Sequence, residues 1–276
     1  MFFEVLKILK GLFQKSLKRG AGVEPLRFTI VYILPKEGAA AVFVIRVAGV
    51  SVEIDNRNNY VYELCRDYLC TEGVPAFRVA ATNDEVQTFL AECSRPMTPP
   101  EAESHVIYRK ICQQMPRYDA YLLHAAVVEI EGRGYAFSAR RGVGKSTHAA
   151  LWQSHFAGRA TIINGDKPLI RRSPDGRFWA YGTPWCGKEG LQVNRKCPLT
   201  AICFLERGSQ NGVTVSPVAD SAVRLMEATS APTDPEGQDR LAALIGATLR
   251  DVPAFTLTCR PDTEAVEAAY EFLMRQ

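Results

Sequence analysis

The 276-residue chain has no run of about 18 uncharged apolar residues, which excludes a spanning helix. It has eight cysteines, at positions 65, 70, 93, 112, 186, 197, 203 and 259, but no CxxC and no Cys/His spacing of the zinc-site kind. They fall mostly in apolar stretches such as Ile202-Cys203-Phe204. They are expected to be small core hydrophobes in a reducing cytoplasm, which is the expected location of the protein. Low-complexity tracts and internal repeats are missing. With 47% hydrophobic and 23% charged residues, intrinsic disorder is excluded as the main state. A basic surplus is missing from the body of the chain. Residues 1–20 carry five Lys/Arg against one Glu, a local charge of +4, which leaves −1 for residues 21–276 out of a total of +3. That balance argues against a nucleic-acid partner.

The basic start is not expected to be a secretory signal, because charges interrupt its apolar part and no small-residue cleavage site follows. It reads as an amphipathic helix with Phe2, Leu6, Leu9, Phe13 and Leu17 on one face. Such a helix can rest on an anionic membrane surface. The favoured expectation is that residues 1–27 form an extension whose apolar face packs on the domain behind it.

Strands are expected at Phe28–Leu34 and Val42–Val47, and at the alternating Val50, Val52 and Ile54. Asn56–Asn59 reads as a turn. Helices are expected at Tyr60–Leu69, Asn83–Cys93 and Glu101–Met115, with a strand at Ala76–Ala80. The prolines of Ser94–Pro100 suggest a linker, and Pro116 ends the last helix. Residues 28–116 therefore read as a small α+β domain. Residues 117–276 read as a mixed α/β layer domain. Its expected strands are Tyr121–Ile130, Tyr135–Ser138, Ala160–Asn164, Leu169–Arg172, Phe178–Tyr181, Leu199–Leu205, Val213–Ser216 and Ala254–Cys259. Its helices are expected near Lys145–Phe156, Asp220–Ala228 and Glu236–Arg250, with a last one capped by Asp262.

One motif carries chemistry. Ala139-Arg140-Arg141-Gly142-Val143-Gly144-Lys145-Ser146 is a P-loop with Ala in place of the first Gly. A strand ends, the chain turns, and inward backbone N–H groups cradle phosphate oxygens at the positive end of a helix. Gly142, Val143, Gly144, Lys145, Ser146 and Thr147 are the candidate nucleotide-binding residues. Lys145 neutralises the β/γ-phosphates, and Ser146 offers a hydroxyl to Mg²⁺. Asp166, at the end of Thr161-Ile162-Ile163-Asn164-Gly165-Asp166, is the candidate second metal ligand. In a parallel sheet the ends of neighbouring strands lie side by side.

These residues carry a resemblance. From about Tyr121 to Met274 the chain resembles the HPr kinase/phosphorylase superfamily, most closely its members that accompany peptide-modification systems. More distantly it is similar to the nucleotide half of phosphoenolpyruvate carboxykinase. The matching residues are Leu122-Leu123-His124-Ala125-Ala126, the P-loop with Ser146-Thr147-His148, Leu151-Trp152 and Ile163-Asn164-Gly165-Asp166-Lys167-Pro168. Tyr181–Glu189 and Phe204-Leu205-Glu206-Arg207 complete them. The resemblance implies a P-loop kinase domain with a mixed sheet, using ATP and Mg²⁺. It places a functional histidine at His124 and a metal-side acid at Asp166. The family's first acid of an adjacent pair, a base toward the acceptor hydroxyl, falls here on Gly165. The base role then passes to Asp166 itself, His124 or Glu189. Arg207 is a candidate for stabilising the transferring phosphoryl group, while His148 is expected to be structural.

Two functions follow as expectations. One is transfer of the γ-phosphoryl group of ATP to a hydroxyl acceptor, on Ser/Thr of a protein or peptide or on a small molecule. The other is a nucleotide-binding accessory protein of a peptide-modification system without transfer. A homo-oligomer is compatible with either.

Overall fold

The computed structural model describes residues 41–140 and 142–275. The amphipathic segment, the strand expected at 28–34 and Arg141 lie outside the described residues. Two sheets and the helices packed on them make a mixed α/β fold.

The first sheet has the order β1-β2-β3, from β1 (Ala41–Val47), β2 (Val50–Asn56) and β3 (Phe77–Ala80). Along β2 buried and half-buried residues alternate, as the spacing of Val50, Val52 and Ile54 predicts. The expected turn lies at Arg57 and Asn58, between the end of β2 and a helix that starts at Asn59. The side chain of Asn58 accepts from the Tyr60 N–H and caps α1 (Asn59–Leu64), and a 3₁₀ turn follows at Arg66–Tyr68. Helices α2 (Asn83–Glu92) and α3 (Pro99–Gln114) both open with a Thr/Glu capping box, Thr82 with Glu85 and Thr98 with Glu101. Pro99 and Pro100 are the first residues of α3 rather than part of the linker, because a helix start has no use for their missing N–H groups.

The second sheet runs β4 (Ala120–Leu122), β8 (Leu169–Arg172), β9 (Phe178–Tyr181), β10 (Lys196–Arg207), β6 (Arg133–Ser138), β5 (Ala125–Ile130) and β7 (Ala160–Asn164). β12 (Ala254–Cys259) pairs in parallel with β10 and carries β11 (Gly212–Val215) on its far side. Helices α4 (Lys145–His155) and α7 (Thr263–Met274) cover one face, and α5 (Val218–Glu227) and α6 (Pro235–Asp251) the other. Side chains alternate between these faces. Along β10, Ile202 and Phe204 pack toward Leu225 and Leu241, while Ala201, Cys203 and Leu205 pack toward Trp152 and Val266. Burial on both faces explains why β5, β6 and β10 read as continuous apolar runs.

The sequence suggests one strand over residues 121–130. The structure divides it: β4 pairs with β8, and β5 pairs with β6 and β7. Leu123 and His124 form the break, since their N–H groups donate to the carbonyls of Pro168 and Ala228 instead of to a neighbouring strand.

Candidate functional site

Strand directions bring the candidate residues to one edge of the sheet. β6 is parallel to β10 and antiparallel to β5, and β5 is antiparallel to β7. The carboxyl ends of β10, β6 and β7 therefore share an edge with the amino end of β5. Arg207 ends β10, the glycine-containing loop follows β6, His124 precedes β5, and Asp166 follows β7. The sheet is mixed rather than parallel at this point, and the inserted antiparallel strand is what brings His124 to this edge. The Ala125 N–H donates to the Asp166 carbonyl at 3.1 Å, which locks the two segments together.

The loop 139–144 leads into α4 with Gly142 at φ 82° and Gly144 at φ 129°, backbone states that side-chain-bearing residues rarely adopt. Gly142 and Thr147 are exposed; Val143, Gly144 and Ser146 are half-buried. Val143 packs against the core beneath α4. Lys145 is buried, and its Nζ donates to the Ala139 carbonyl at 3.1 Å. Burial pushes the Lys145 pKa down, opposed by the nearby charge of Asp166 and reinforced by Lys167. Arg207 does not stand free. Its guanidinium donates to the Gly142 carbonyl and, at 3.4 Å, to that of Val143, so it braces the loop.

Asp166 is the electrostatic centre. Its Oδ1 lies 2.8 Å from His124 Nε2, and its Oδ2 lies 3.3 Å from Lys167 Nζ. Burial alone would raise its pKa. The His124 hydrogen bond, with the charges of Lys167 and Lys145, overcomes that and holds it at about 2. The carboxylate is therefore ionised at neutral pH and accepts from His124. In the neutral tautomer that donates from Nε2, the other ring nitrogen, Nδ1, has a lone pair.

The segment between β9 and β10 closes over this carboxylate. A Cβ on Gly187 would stand 3.1 Å from Asp166 Cβ and 3.4 Å from Glu189 Oε2, which places Glu189 beside Asp166. Lys188 is mostly exposed and 4.0 Å from Glu189. Gly165 is not a left-handed position. Its N–H donates to the Leu191 carbonyl at 2.9 Å, and a Cβ there would meet the Cys186 carbonyl at 3.1 Å. Close backbone approach is what calls for glycine here.

Several residues organise the site in ways the sequence reading did not assign. Buried Asn164 accepts the N–H groups of Asp166 (2.9 Å) and Lys167 (2.7 Å) on Oδ1, and donates to the Thr183 carbonyl at 3.1 Å. The Thr183 and Tyr108 hydroxyls both donate to the Lys167 carbonyl, at 2.8 and 2.7 Å. Tyr108 stacks on Trp185 at 4.2 Å, and Trp185 Nε1 donates to the Ser104 carbonyl at 3.1 Å. Helix α3 thus supports the Asp166 turn. The only local signal was the Asn-Gly-Asp turn chemistry around Asn164. His148 is structural: it is buried, and its Nε2 accepts from Trp152 Nε1 at 2.9 Å.

No protein-family model matches the chain, and no curated protein matches it. Among solved structures it is distantly similar to the Hpr(Ser) kinase/phosphatase from Coxiella burnetii. The identity is 8%, over 56% of this chain and 97% of that one, with a TM-score of 0.34. Among the described residues no helix is long and apolar enough to cross a membrane.

Proposed function

We propose that this chain is an ATP-dependent phosphotransferase that moves the γ-phosphoryl group to a hydroxyl acceptor. One observation carries the reading. A strand–glycine loop–helix unit with a buried lysine opens at the same sheet edge as an ionised carboxylate that is hydrogen-bonded to a histidine. Phosphoryl transfer asks a protein mainly for positioning and charge stabilisation, which this set supplies.

The loop N–H groups and Lys145 hold the phosphates, and Arg207 keeps the loop carbonyls in place. Mg²⁺ fits the donors present: Asp166 offers a hard, ionised oxygen donor and Ser146 a hydroxyl at the first turn of α4. A metal ion held by these two residues would neutralise phosphate charge. The acceptor oxygen forms a bond to Pγ as the bond from Pγ to the β-phosphate oxygen breaks, releasing ADP. The hydroxyl proton passes to His124 Nδ1, and Asp166 on Nε2 stabilises the imidazolium. The histidine thus takes the base role that Gly165 cannot fill.

Incubation with γ-labelled ATP, Mg²⁺ and a panel of serine-containing acceptors tests the reading. His124→Asn keeps an amide to face Asp166 but has no basic nitrogen. Transfer should fall about a hundredfold with MgATP affinity little changed. Undiminished transfer in this variant would remove His124 from the mechanism. Binding of MgATP with no labelled acceptor anywhere in the panel would favour the nucleotide-binding accessory role.

A further inference from the structure

We propose that a basic cleft beside the first sheet is a docking site for an acidic segment of a polypeptide. The inference goes beyond the phosphotransferase reading and does not depend on it.

The cleft has a volume of about 420 Å³. Its lining comes from the β1–β2 hairpin, the 3₁₀ turn with the residues just after it, the end of β9 and the start of β10. Tyr68, Tyr181 and Asn194 line it together with three exposed cations, Arg46, Arg195 and Lys196, and no acidic side chain does. Arg195 Nη2 pairs with Glu129 at 2.9 Å. The other two have no carboxylate partner among the described residues. Arg46 donates to the Glu72 carbonyl at 3.2 Å and to the Ser51 hydroxyl at 3.4 Å, and Lys196 Nζ stands 4.4 Å from the centre of the Trp179 ring. Behind Gly49 the half-buried Arg171 adds a further positive charge, engaged by the Ala48 carbonyl at 2.6 Å and by no carboxylate. Asp67 and Glu72 adjoin the cleft through backbone carbonyls that accept from Asn194 and Arg46, and neither of their carboxylates pairs with a lining cation.

Charge and exposure together select the ligand. Residues 21–276 sum to −1, so cations gathered without acids are a local feature of this surface. Each lining cation is exposed, so an ion pair with any one of them is screened by salt and contributes little. An anion with a single charge is therefore held weakly. Several carboxylates on one chain bind together, because each raises the effective concentration of the next. Leu69, 37% exposed, adds an apolar contact to the lining. An extended acidic segment with an occasional apolar residue fits this surface. The cleft also adjoins the Asp166 turn. The Tyr68 hydroxyl donates to Gln192 Oε1 at 2.5 Å, and Gln192 forms a backbone bridge with Asn164, whose side chain holds the Asp166 N–H. A polypeptide docked here lies beside the proposed transfer site.

Fluorescence anisotropy on the full chain tests this with two labelled peptides, one of alternating Glu and Ala and the other its Gln/Ala counterpart. The Glu peptide should bind wild type at least about tenfold more tightly at low salt, and the gap should close as salt is added. Arg46→Gln and Lys196→Gln should each weaken the Glu peptide about threefold, and the double variant should leave the two peptides nearly equal. Arg177→Gln removes an exposed cation from the β8–β9 hairpin and should change nothing. Replacing the Lys/Arg of residues 1–20 by Gln should also keep the preference. Thermal melts check that each variant is folded. Equal binding of the two peptides, or a preference that survives in the double variant, would overturn the proposal. So would a preference lost with the charges of residues 1–20, which would place binding at the basic start. Citrate that binds as tightly as the Glu peptide would make the cleft a site for a free anion and overturn the polypeptide assignment. Failure of the phosphotransferase reading looks different: a nucleotide analogue would not bind, whatever the peptides do.

Discussion

His124 and Asp166 are separated by 42 positions, yet Nε2 of the first lies 2.8 Å from Oδ1 of the second. The pairing register produces this contact. His124 immediately precedes β5, Asp166 follows β7 by two residues, and β5 and β7 are antiparallel neighbours. Removing the charge of Asp166 should therefore affect both ends of the proposed reaction. Asp166→Asn is expected to lower transfer by at least about a hundredfold, because the amide lacks the negative charge that attracts a metal ion and stabilises an imidazolium. Nucleotide affinity should fall less, since the loop and Lys145 remain. Transfer assays beside nucleotide titrations check this, and persistent transfer would move the chemistry to Glu189.

Lys145→Ala should remove most of the thermal stabilisation that MgATP gives. Ligand stabilisation grows with the logarithm of affinity, so a hundredfold loss of affinity lowers it by about 2.7 kcal/mol at saturating ligand. Equal shifts in wild type and variant would refute the phosphate site.

Arg207 offers a choice between two roles. As a brace on the Gly142 and Val143 carbonyls, its loss in Arg207→Met should weaken nucleotide binding about tenfold, with turnover of the bound complex little changed. A group that stabilises only the transition state would show the reverse, a fall in kcat at constant nucleotide affinity. Single-turnover kinetics at saturating ATP separates them.

Gly165→Asp restores the acid that the resemblance places there. The structure predicts loss of stability instead, by about 1–3 kcal/mol, because a Cβ meets the Cys186 carbonyl at 3.1 Å. Gly165→Ala should show much of the same loss without any charge. Denaturant unfolding measures both, and an Asp variant as stable as wild type would show that the 183–190 segment gives way easily.

Stability should also fall between about pH 6.5 and pH 4. Burial holds His148 and His105 at about 4 against an ordinary value of 6.5, so the unfolded chain binds protons first in that window. Their contribution is full above 6.5 and lost as pH drops toward 4. His148→Gln should flatten the slope by its share, even if the variant is less stable throughout. An unchanged slope in chemical unfolding would mean that His148 is protonated in the folded protein.

The sequence alone determined much of the local structure and the chemistry-bearing loop. Period-2 alternation located β2, and capping residues located α7 through Asp262. A lysine after Gly-Val-Gly, between an apolar strand and a helix, marked the candidate phosphate site, because all its parts lie within one short stretch of chain. The expected P-loop, His124 and Asp166 were legible as residue types at set positions.

What the sequence did not hold was every relationship set by pairing between distant segments. The break at Leu123–His124 is invisible in an apolar run, since it exists only because Pro168 and Ala228 supply the hydrogen-bond acceptors. The glycine at 165 reads locally as a turn residue, while its reason lies in Cys186 and Leu191. Asn164, Thr183, Tyr108 and Trp185 look like ordinary polar and core residues until the fold brings them around Lys167. Local propensity acts over a few neighbouring residues, so the sequence specified the elements. The direction of each strand and the satisfaction of buried polar groups depend on the whole sheet, and only the tertiary structure decided which elements meet at Asp166.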